Sequence, residues 1–518
     1  MKTKSIISIL IGSVMMLSLS SCFNLDETIY DKIPADSFGK TEAEIESIIG
    51  PAYNTLKKYF PSRWLYLSEC SGEMAINPTR RGGDWFDGGV YRDLHMHTWT
   101  AQTNTFRDCW DGATQSISSC NLIYETIHSA QALSDENKSA ALAEIRGVRA
   151  FWLYALMDAF GNIPLAVDFN DTNLPATKSR QEAFDYIISE LTDIKDMLRS
   201  DVSGASYGKF TKGAAYTLLA KMYLNADAWG VSTNKSNWQE VVAACDAVMG
   251  LNYILEPNWK TNFQVKNEDS REAIFGACYS ANDTEDQNTL HFRTLHYKDN
   301  IALGGTWSSW NGICALTDYA KLFEVEDQRL EASFLTGEMK DPATGEVLIT
   351  AHERPLIHYI DVIQIEGSQY EGSTWGQVNQ EDGFRCHKWP YDKGTLGAME
   401  NDFHIFRLAD VYLMKAEALV RMGGDNALAT QLVNTIRERG FGDATHNYTS
   451  VTLDDIFRER KLEFAWECHS RQDCIRFGTY QNARYLKLDT HGKDYLNIFP
   501  VPQTAIDANR NLTQNPGY

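Results

Sequence analysis

The residues best suited to bind something gather in one loop-like stretch. Glu73-Met-Ala-Ile-Asn77-Pro-Thr-Arg80-Arg81-Gly82-Gly83-Asp84-Trp85-Phe86-Asp87-Gly88-Gly89 sets an indole among carboxylates and arginines, on no helical stripe. Its four glycines permit backbone angles closed to other residues, which lets Trp85 project outward. An exposed indole stacks on flat apolar faces, while Glu73, Arg81 and Asp84 can exchange hydrogen bonds at the rim of whatever is stacked. The competing role is structural, with Trp85 tucked onto a scaffold and the glycines only turning the chain. Gly304-Gly-Thr-Trp307-Ser-Ser-Trp310-Asn311-Gly312 is a second candidate. Two tryptophans three apart cannot share a strand face, so they fit a turn or a helix start. Trp375, between Glu371 and Gln377, and Tyr297, in a polar run, complete the set. For Trp307, Trp310, Trp375 and Tyr297, a place in the core competes equally with ligand contact.

Covalent or acid–base chemistry has weaker support. Asp84 and Asp87 could be a glycosidase acid/base pair, but a glycine-rich loop leaves their separation undefined. His95 and His97 could share a strand face and bind a metal, yet no third ligand is nearby, so no metal site is expected. Nucleophile-elbow, HExxH, phosphate-loop and dinucleotide fingerprints are absent from useful contexts. Glu459, Arg460, Glu463, Glu467, Arg471, Asp473 and Arg476 crowd one helix and its exit. They read either as catalytic carboxylates or as an ion-pair lock; the i,i+4 spacing of Glu463 and Glu467 beside arginines favours the lock. No catalytic residue and no cofactor is assigned, and nothing in the sequence indicates calcium.

Elements must position these loops. Apolar residues at helical spacing run through Glu42–Tyr59, Ser139–Phe160, Arg180–Leu198, Thr211–Ala228, Ser236–Met249, Phe406–Met422, Asn426–Arg439 and Leu453–Cys468. Gly161 and Pro164 stop the second of them. Trp152 and Trp466 lie on such stripes and read as core. Alanines at close-approach positions suggest stacked helical hairpins of the tetratricopeptide kind, without a strict repeat. The stretches 72–105 and 255–399 are rich in Gly, Asp, Asn, Thr and Trp, with β-like runs at Val347–Thr350 and Tyr359–Ile365. Long loops of this kind commonly carry function. The expected fold is mainly α: scaffold blocks at about 40–254 and 400–518 within one unit, 22–518, and a loop-rich mixed α/β insertion at about 255–399 bearing the ligand surface.

The chain's start says where this unit works. Lys2 and Lys4 precede an apolar run, Ile6–Leu19, too short to span a bilayer, and Leu19-Ser20-Ser21-Cys22 resembles a lipoprotein lipobox. Residues 1–21 are then a signal peptide, and Cys22 carries the lipid ahead of a polar tether. A formal charge of −21 repels phosphate backbones, so nucleic acid is not an expected partner. The ten cysteines form no CxxC pair, which argues against a zinc ribbon, and most read as small buried apolar residues.

Four segments together resemble the SusD/RagB family of outer-membrane nutrient-binding lipoproteins: Arg146–Leu165, Thr211–Leu224, Arg407–Ala418, and a tail running from Glu459 through Asp473 and Phe499-Pro-Val-Pro502 to Gln514-Asn-Pro-Gly-Tyr518. Each is weak alone; their order, their spread over the chain and the lipobox make the match specific. The middle of the chain aligns with no one member. The resemblance implies a lipid-anchored, outward-facing outer-membrane protein without catalytic activity. It would capture an oligosaccharide or polysaccharide and pass it to a SusC-like TonB-dependent barrel. A sugar ring offers an apolar C–H face to tryptophan and a hydroxyl rim to Asp, Glu and Arg. A surface glycoside hydrolase and a non-binding envelope subunit are the alternatives.

Overall fold

The computed structural model describes residues 41–131, 133–280, 288–306, 308–359, 378–391, 393 and 399–518. Cys22, Trp307, Trp375 and most of Tyr359–Ile365 lie outside these residues. No helix among them is long and apolar enough to cross a membrane.

The scaffold is helical. Helix α1, Glu42–Tyr59, starts on a capping box in which Thr41 and Glu44 satisfy each other's backbone N–H groups. Past Tyr59 it widens into two π turns, Phe60–Trp64 and Tyr66–Cys70. After α2, Val90–Met96, come α3, Asn104–Ser129, α4, Asp135–Phe160, α5, Arg180–Ile194, α6, Lys212–Trp229, and α7, Asn237–Met249. From α3 to α7 each helix packs on the next, which is the hairpin stacking expected. Four short helices follow among the described residues, two of them being α8 at Leu290–Thr294 and α9 at Asp299–Leu303. Then come α10, Leu408–Arg421, α11, Asn426–Phe441, α12, Leu453–Glu463, and α13, Ser470–Arg476. Helix α10 docks on α7 and collects α11 and α12, so both sequence blocks meet along one core running from Ile49 to Leu512.

Strands are few and short. The strand pair β1 (Ala75–Ile76) and β3 (Cys314–Ala315) is antiparallel, as is the pair β2 (Ala273–Ala277) and β4 (Phe403–Arg407). The β2–β4 ladder closes the base of the intervening segment, returning the chain to the point where it left the scaffold. All nine described cysteines are free thiols, seven of them buried.

Several expectations need correction. The stretch 72–105 is not all loop, because α2 lies within it. Helix α3 was not among the expected helices, although Phe106, Trp110, Ala113, Ile117, Cys120 and Ile127 form a buried stripe along it. The helix expected from Phe406 begins at Leu408: Phe406 and Arg407 belong to β4, whose five residues are all buried. The helix expected to reach Cys468 ends at Glu463, because Trp466 and Cys468 adopt left-handed φ of 60° and 66°. Trp466 is core, as expected, but on a turn.

The charged residues on apolar helices find partners, as burial demands. Arg149 meets Glu190 at 2.9 Å; Asp410 takes Lys221 and Arg460, each at 2.8 Å; Glu417 takes Arg476 at 2.8 Å. Glu463 accepts from Arg407 at 2.5 Å, Arg439 at 2.6 Å and Arg329 at 3.1 Å. Burial pushes its carboxyl up, but the three guanidiniums outweigh it and hold it well below the usual carboxylate range. Glu463, Arg407 and Arg329 are buried, the Arg439 side chain nearly so, and the cluster is an ion-pair lock.

Close helix packing also fixes Gly147 in α4. A Cβ there would overlap the ring of Phe210, which is itself buried and cannot withdraw. Gly147→Ala should therefore destabilise by about 1–3 kcal/mol through overpacking, exceeding the roughly 1 kcal/mol gained in helix propensity. A chemical denaturation curve measures the net sign.

Candidate functional site: an aromatic loop surface

The β1–β3 pairing lays the stretch 77–89 against the stretch 304–312. The first is a tight turn, in which Gly83 N–H donates to Arg80 O and Arg80 N–H to Asp84 O, both at 2.9 Å. Trp85 follows with φ at 63°, between glycines also at positive φ, so the turn aims its side chain sideways along the surface. The second runs beside α8: Trp310 N–H donates to Phe292 O at 2.6 Å and Gly312 N–H to Arg293 O at 2.9 Å.

One buried side chain ties these loops together. The guanidinium of Arg80 donates to Asn311 O at 2.9 Å, Gly312 O at 2.7 Å and Asp382 O at 2.7 Å, with Asn379 O at 3.4 Å. Its backbone bridges Val378, so the stretches 79–81, 311–312 and 378–382 converge on one residue.

Above this clamp the aromatic side chains assemble. Trp85 is partly buried. Its ring meets Tyr91 edge-on at 5.6 Å and Tyr66 at 6.4 Å, and its indole N–H donates to Trp310 O at 2.6 Å. It also presses on Gly312, where no Cβ would fit. Trp310 stacks on Phe292 with ring centroids 5.3 Å apart, yet remains 41% exposed. The Arg293 guanidinium lies 5.4 Å from the Trp310 ring and 5.7 Å from that of Tyr66. Tyr297 donates its phenol to the Asp84 carboxylate. Burial, reinforced by that hydrogen bond, raises the Tyr297 phenol well above its ordinary value, so it stays a donor. Burial likewise pushes Tyr66 up to about 12.

Asp84, Trp85, Tyr297 and Trp310, expected from sequence, thus share one surface, with Arg81 exposed beside them and its carbonyl facing His352 at 3.3 Å. Glu73 is held elsewhere: its N–H takes Ser470 Oγ at 2.9 Å and its carboxylate takes Lys461 at 3.3 Å. Trp307 and Trp375 fall outside the described residues. Arg80, Tyr66, Tyr91, Phe292 and Arg293 were not singled out from sequence. Arg80 stands inside the quoted glycine-rich stretch, but nothing local marks it as a clamp. Phe292 and Arg293 sit on a five-residue helix too short to show a stripe.

The two histidines do not share a strand face. His95 lies in α2 and His97 caps it at φ 57°, each ring bonded to a backbone carbonyl, of Tyr485 and Ser71. Burial lowers both imidazoles below their ordinary range, to about 3 for His95. A larger hollow, about 660 Å³, lies between α1, α4 and the stretch 207–210. Its floor is Ile45, Ile49, Leu198 and Phe210, and its Tyr53 and Glu144 hydrogen-bond each other at 2.7 Å. It presents no tryptophan, so the aromatic surface remains the candidate despite its shallowness.

Comparison with known proteins finds relatives of the whole chain. Residues 271–518 match a family profile described as SusD family, and residues 25–224 match one described as "Starch-binding associating with outer membrane". The starch-binding protein SusD of Bacteroides thetaiotaomicron is 27% identical over 427 residues, covering 75% of this chain and 74% of that one. The SusD-like protein P25 of Formosa agariphila is 23% identical over 538 residues, 98% of each chain. Surface glycan-binding protein A from Bacteroides fluxus superposes with a TM-score of 0.73 at 19% identity, over 93% of this chain and 100% of that one. A laminarin binding SusD-like protein gives 0.71 at 21% identity, over 93% and 100%. At these identities the structural matches show a shared fold, the tetratricopeptide-type helical scaffold with its inserted loops.

Proposed function

The chain belongs to the SusD family, and from that premise we propose that it is a cell-surface glycan-binding protein whose contact surface is the Trp85–Trp310 cluster. The supporting observation is the convergence of two loops over 220 residues apart on one aromatic surface, pinned from below by the buried Arg80. The exposed part of the Trp310 indole would take the C–H face of a sugar. Arg81 and the Tyr297–Asp84 pair would meet its hydroxyl rim, and Trp85 would act mainly by holding Trp310 in place. Names carried by relatives and structural neighbours, among them starch-binding and laminarin-binding, favour a glycan as the ligand class.

The reading extends to the membrane. Cys22 would carry the lipid that anchors the protein at the outer membrane, and the captured glycan would pass to a SusC-like TonB-dependent barrel. No step of bond cleavage is assigned to the chain. Asp84 is engaged by Tyr297, and the buried carboxylates of the C-terminal lock are committed to arginines.

Trp310→Ala tests the surface. In affinity electrophoresis against a polysaccharide panel, the variant should bind its retained glycan about 1–3 kcal/mol more weakly, the loss typical of an aromatic anchor. Trp85→Ala should weaken binding too, but by less. Unchanged retention by folded Trp310→Ala would move the site elsewhere. Release of reducing ends from the same panel would overturn the non-catalytic assignment.

A further inference from the structure

A cleft of about 360 Å³ lies on the scaffold, between α3, α4, α5 and the connection that follows α4. Tyr124 and Glu125 of α3, Arg146 of α4 and Glu190 of α5 line it, with Asp168 and Phe169 from the connection. Sites for small ligands occupy roughly 300–1,000 Å³, so the cleft is large enough for one.

Its floor is fixed before anything enters. Arg149 is 6% exposed and donates to Asn121 Oδ1 and Val167 O, each at 3.0 Å, and to Glu190 at 2.9 Å. Its guanidinium also stands 5.6 Å from the Tyr124 ring. Asn121 donates in turn to Ala166 O at 2.8 Å. Arg146 forks onto Glu190, at 2.7 Å and 3.1 Å, and reaches Asp193 at 2.7 Å. The connection is thereby pinned to α3 and α5 from below, much as Arg80 pins the first aromatic surface. At the rim two Asx turns follow each other. Asn170 N–H donates to Asp168 Oδ1 at 2.8 Å, and Asn173 N–H to Asp171 Oδ1 at 3.0 Å. Beside them the Phe169 ring stays 49% exposed.

The chemistry of this lining selects its ligand. Arg146 and Arg149 already share Glu190, so an anion would compete with a bound carboxylate and would face Glu125 and Asp168 as well. A purely apolar ligand would cover those carboxylates without satisfying them. A neutral, hydroxyl-rich ring meets both demands: its hydroxyls can donate to Glu125 and to the second oxygen of Asp168, while its C–H face lies on Phe169. Resting on the glycan reading above, we propose that this cleft is a second glycan-binding site, for a neutral oligosaccharide, on the helical scaffold and not on the inserted loops. Two sites would grip separate stretches of one polysaccharide and retain it better than either alone.

The test titrates the purified chain calorimetrically with maltoheptaose, laminarihexaose, xylohexaose and mannohexaose. At least one of them should bind with two equivalents per chain. Phe169→Ala trims a half-exposed ring and leaves the core intact; it should weaken one equivalent about tenfold, and Trp310→Ala the other. Glu125→Gln keeps the shape without the charge and should weaken the same equivalent as Phe169→Ala, by about threefold to tenfold. A single equivalent in the parent, lost in Trp310→Ala and unmoved by Phe169→Ala, would discard the cleft and keep the loop surface. A single equivalent that follows Phe169→Ala and ignores Trp310→Ala would keep the cleft and discard the loop surface. If no oligosaccharide of the panel binds the parent, both readings fall.

Discussion

Arg407→Ala is expected to lower the stability of the chain by about 3–5 kcal/mol, as breaking a buried ion pair does. Arg407 stands at the joint between β4 and α10, 1% exposed. It donates to Glu272 at 2.9 Å, Glu463 at 2.5 Å and Glu467 at 2.7 Å, three carboxylates from two separate segments. Removing it leaves each acid one cation short in a site that water does not reach. Arg439 still serves Glu272 and Glu463, and Lys388 still serves Glu467, so the loss is large without being the whole network. Arg407→Lys keeps the charge but not the fork, and should fall between. Chemical denaturation of the three proteins measures the order; a loss under about 1 kcal/mol for the alanine variant would mean that the lock relaxes around the gap.

A second buried network, in which Arg460 and Arg476 hold Asp473, sets an acid limit. Burial raises the Asp473 carboxyl, but Arg460 and Arg476 outweigh it and bring it down to about 2. A carboxyl depressed in the folded state contributes stability that is complete above its unfolded value. That contribution disappears as pH falls from about 4 through 2. Acid unfolding in this window should therefore be shallower in Arg460→Ala, in which Asp473 has already lost one of its two guanidiniums.

Why was this lock legible in sequence while the joint beside it was not? Glu463 and Glu467 announce themselves by i,i+4 spacing among arginines, a local signal. Phe403–Arg407 is buried throughout, and a short run without alternation fits a strand and a helix equally. Its assignment depends on Ala273–Ala277, far away in the chain. The end of α12 is decided the same way. Lys388 donates to the carbonyls of Glu463 and Ala465, at 3.3 Å and 3.0 Å, so a distant ammonium rewards unwinding where periodicity runs on. By contrast Glu42–Tyr59 is marked at both ends by its own residues, and the expected bounds coincide with the observed ones.

The binding surface divides along the same line. Asp84, Trp85, Tyr297 and Trp310 could be picked out because glycine-rich, polar surroundings give a tryptophan no local core. Arg80 could not, because its partners are backbone carbonyls, and carbonyls carry no sequence signature.

That hidden role makes Arg80→Met the sharper functional experiment. The side chain has no exposed surface and serves as donor to carbonyls of Asn311, Gly312 and Asp382. Methionine fills much of the volume but strands these oxygens, each at a cost of about 1–3 kcal/mol if it stays buried. The loops would sooner separate and hydrate than bear that sum, and the helical core, which Arg80 does not join, would survive. The expected result is a folded protein with an unchanged far-ultraviolet spectrum. Its glycan affinity should fall about a hundredfold, because the indoles of Trp85 and Trp310 lose their shared footing. A pH signature separates this from simple loss of a contact. Burial pushes the Asp382 carboxyl up to about 6 against the opposing pull of Arg80. A raised carboxyl favours the folded loops while protonated and disfavours them as pH climbs past that value. Without Arg80 the ionised form loses its nearest compensation, so the affinity deficit of Arg80→Met should be greater at pH 8 than at pH 5. Equal affinity for variant and parent at both pH values would show that the loops hold their register without the clamp, and that the aromatic surface is positioned by the β1–β3 pairing alone.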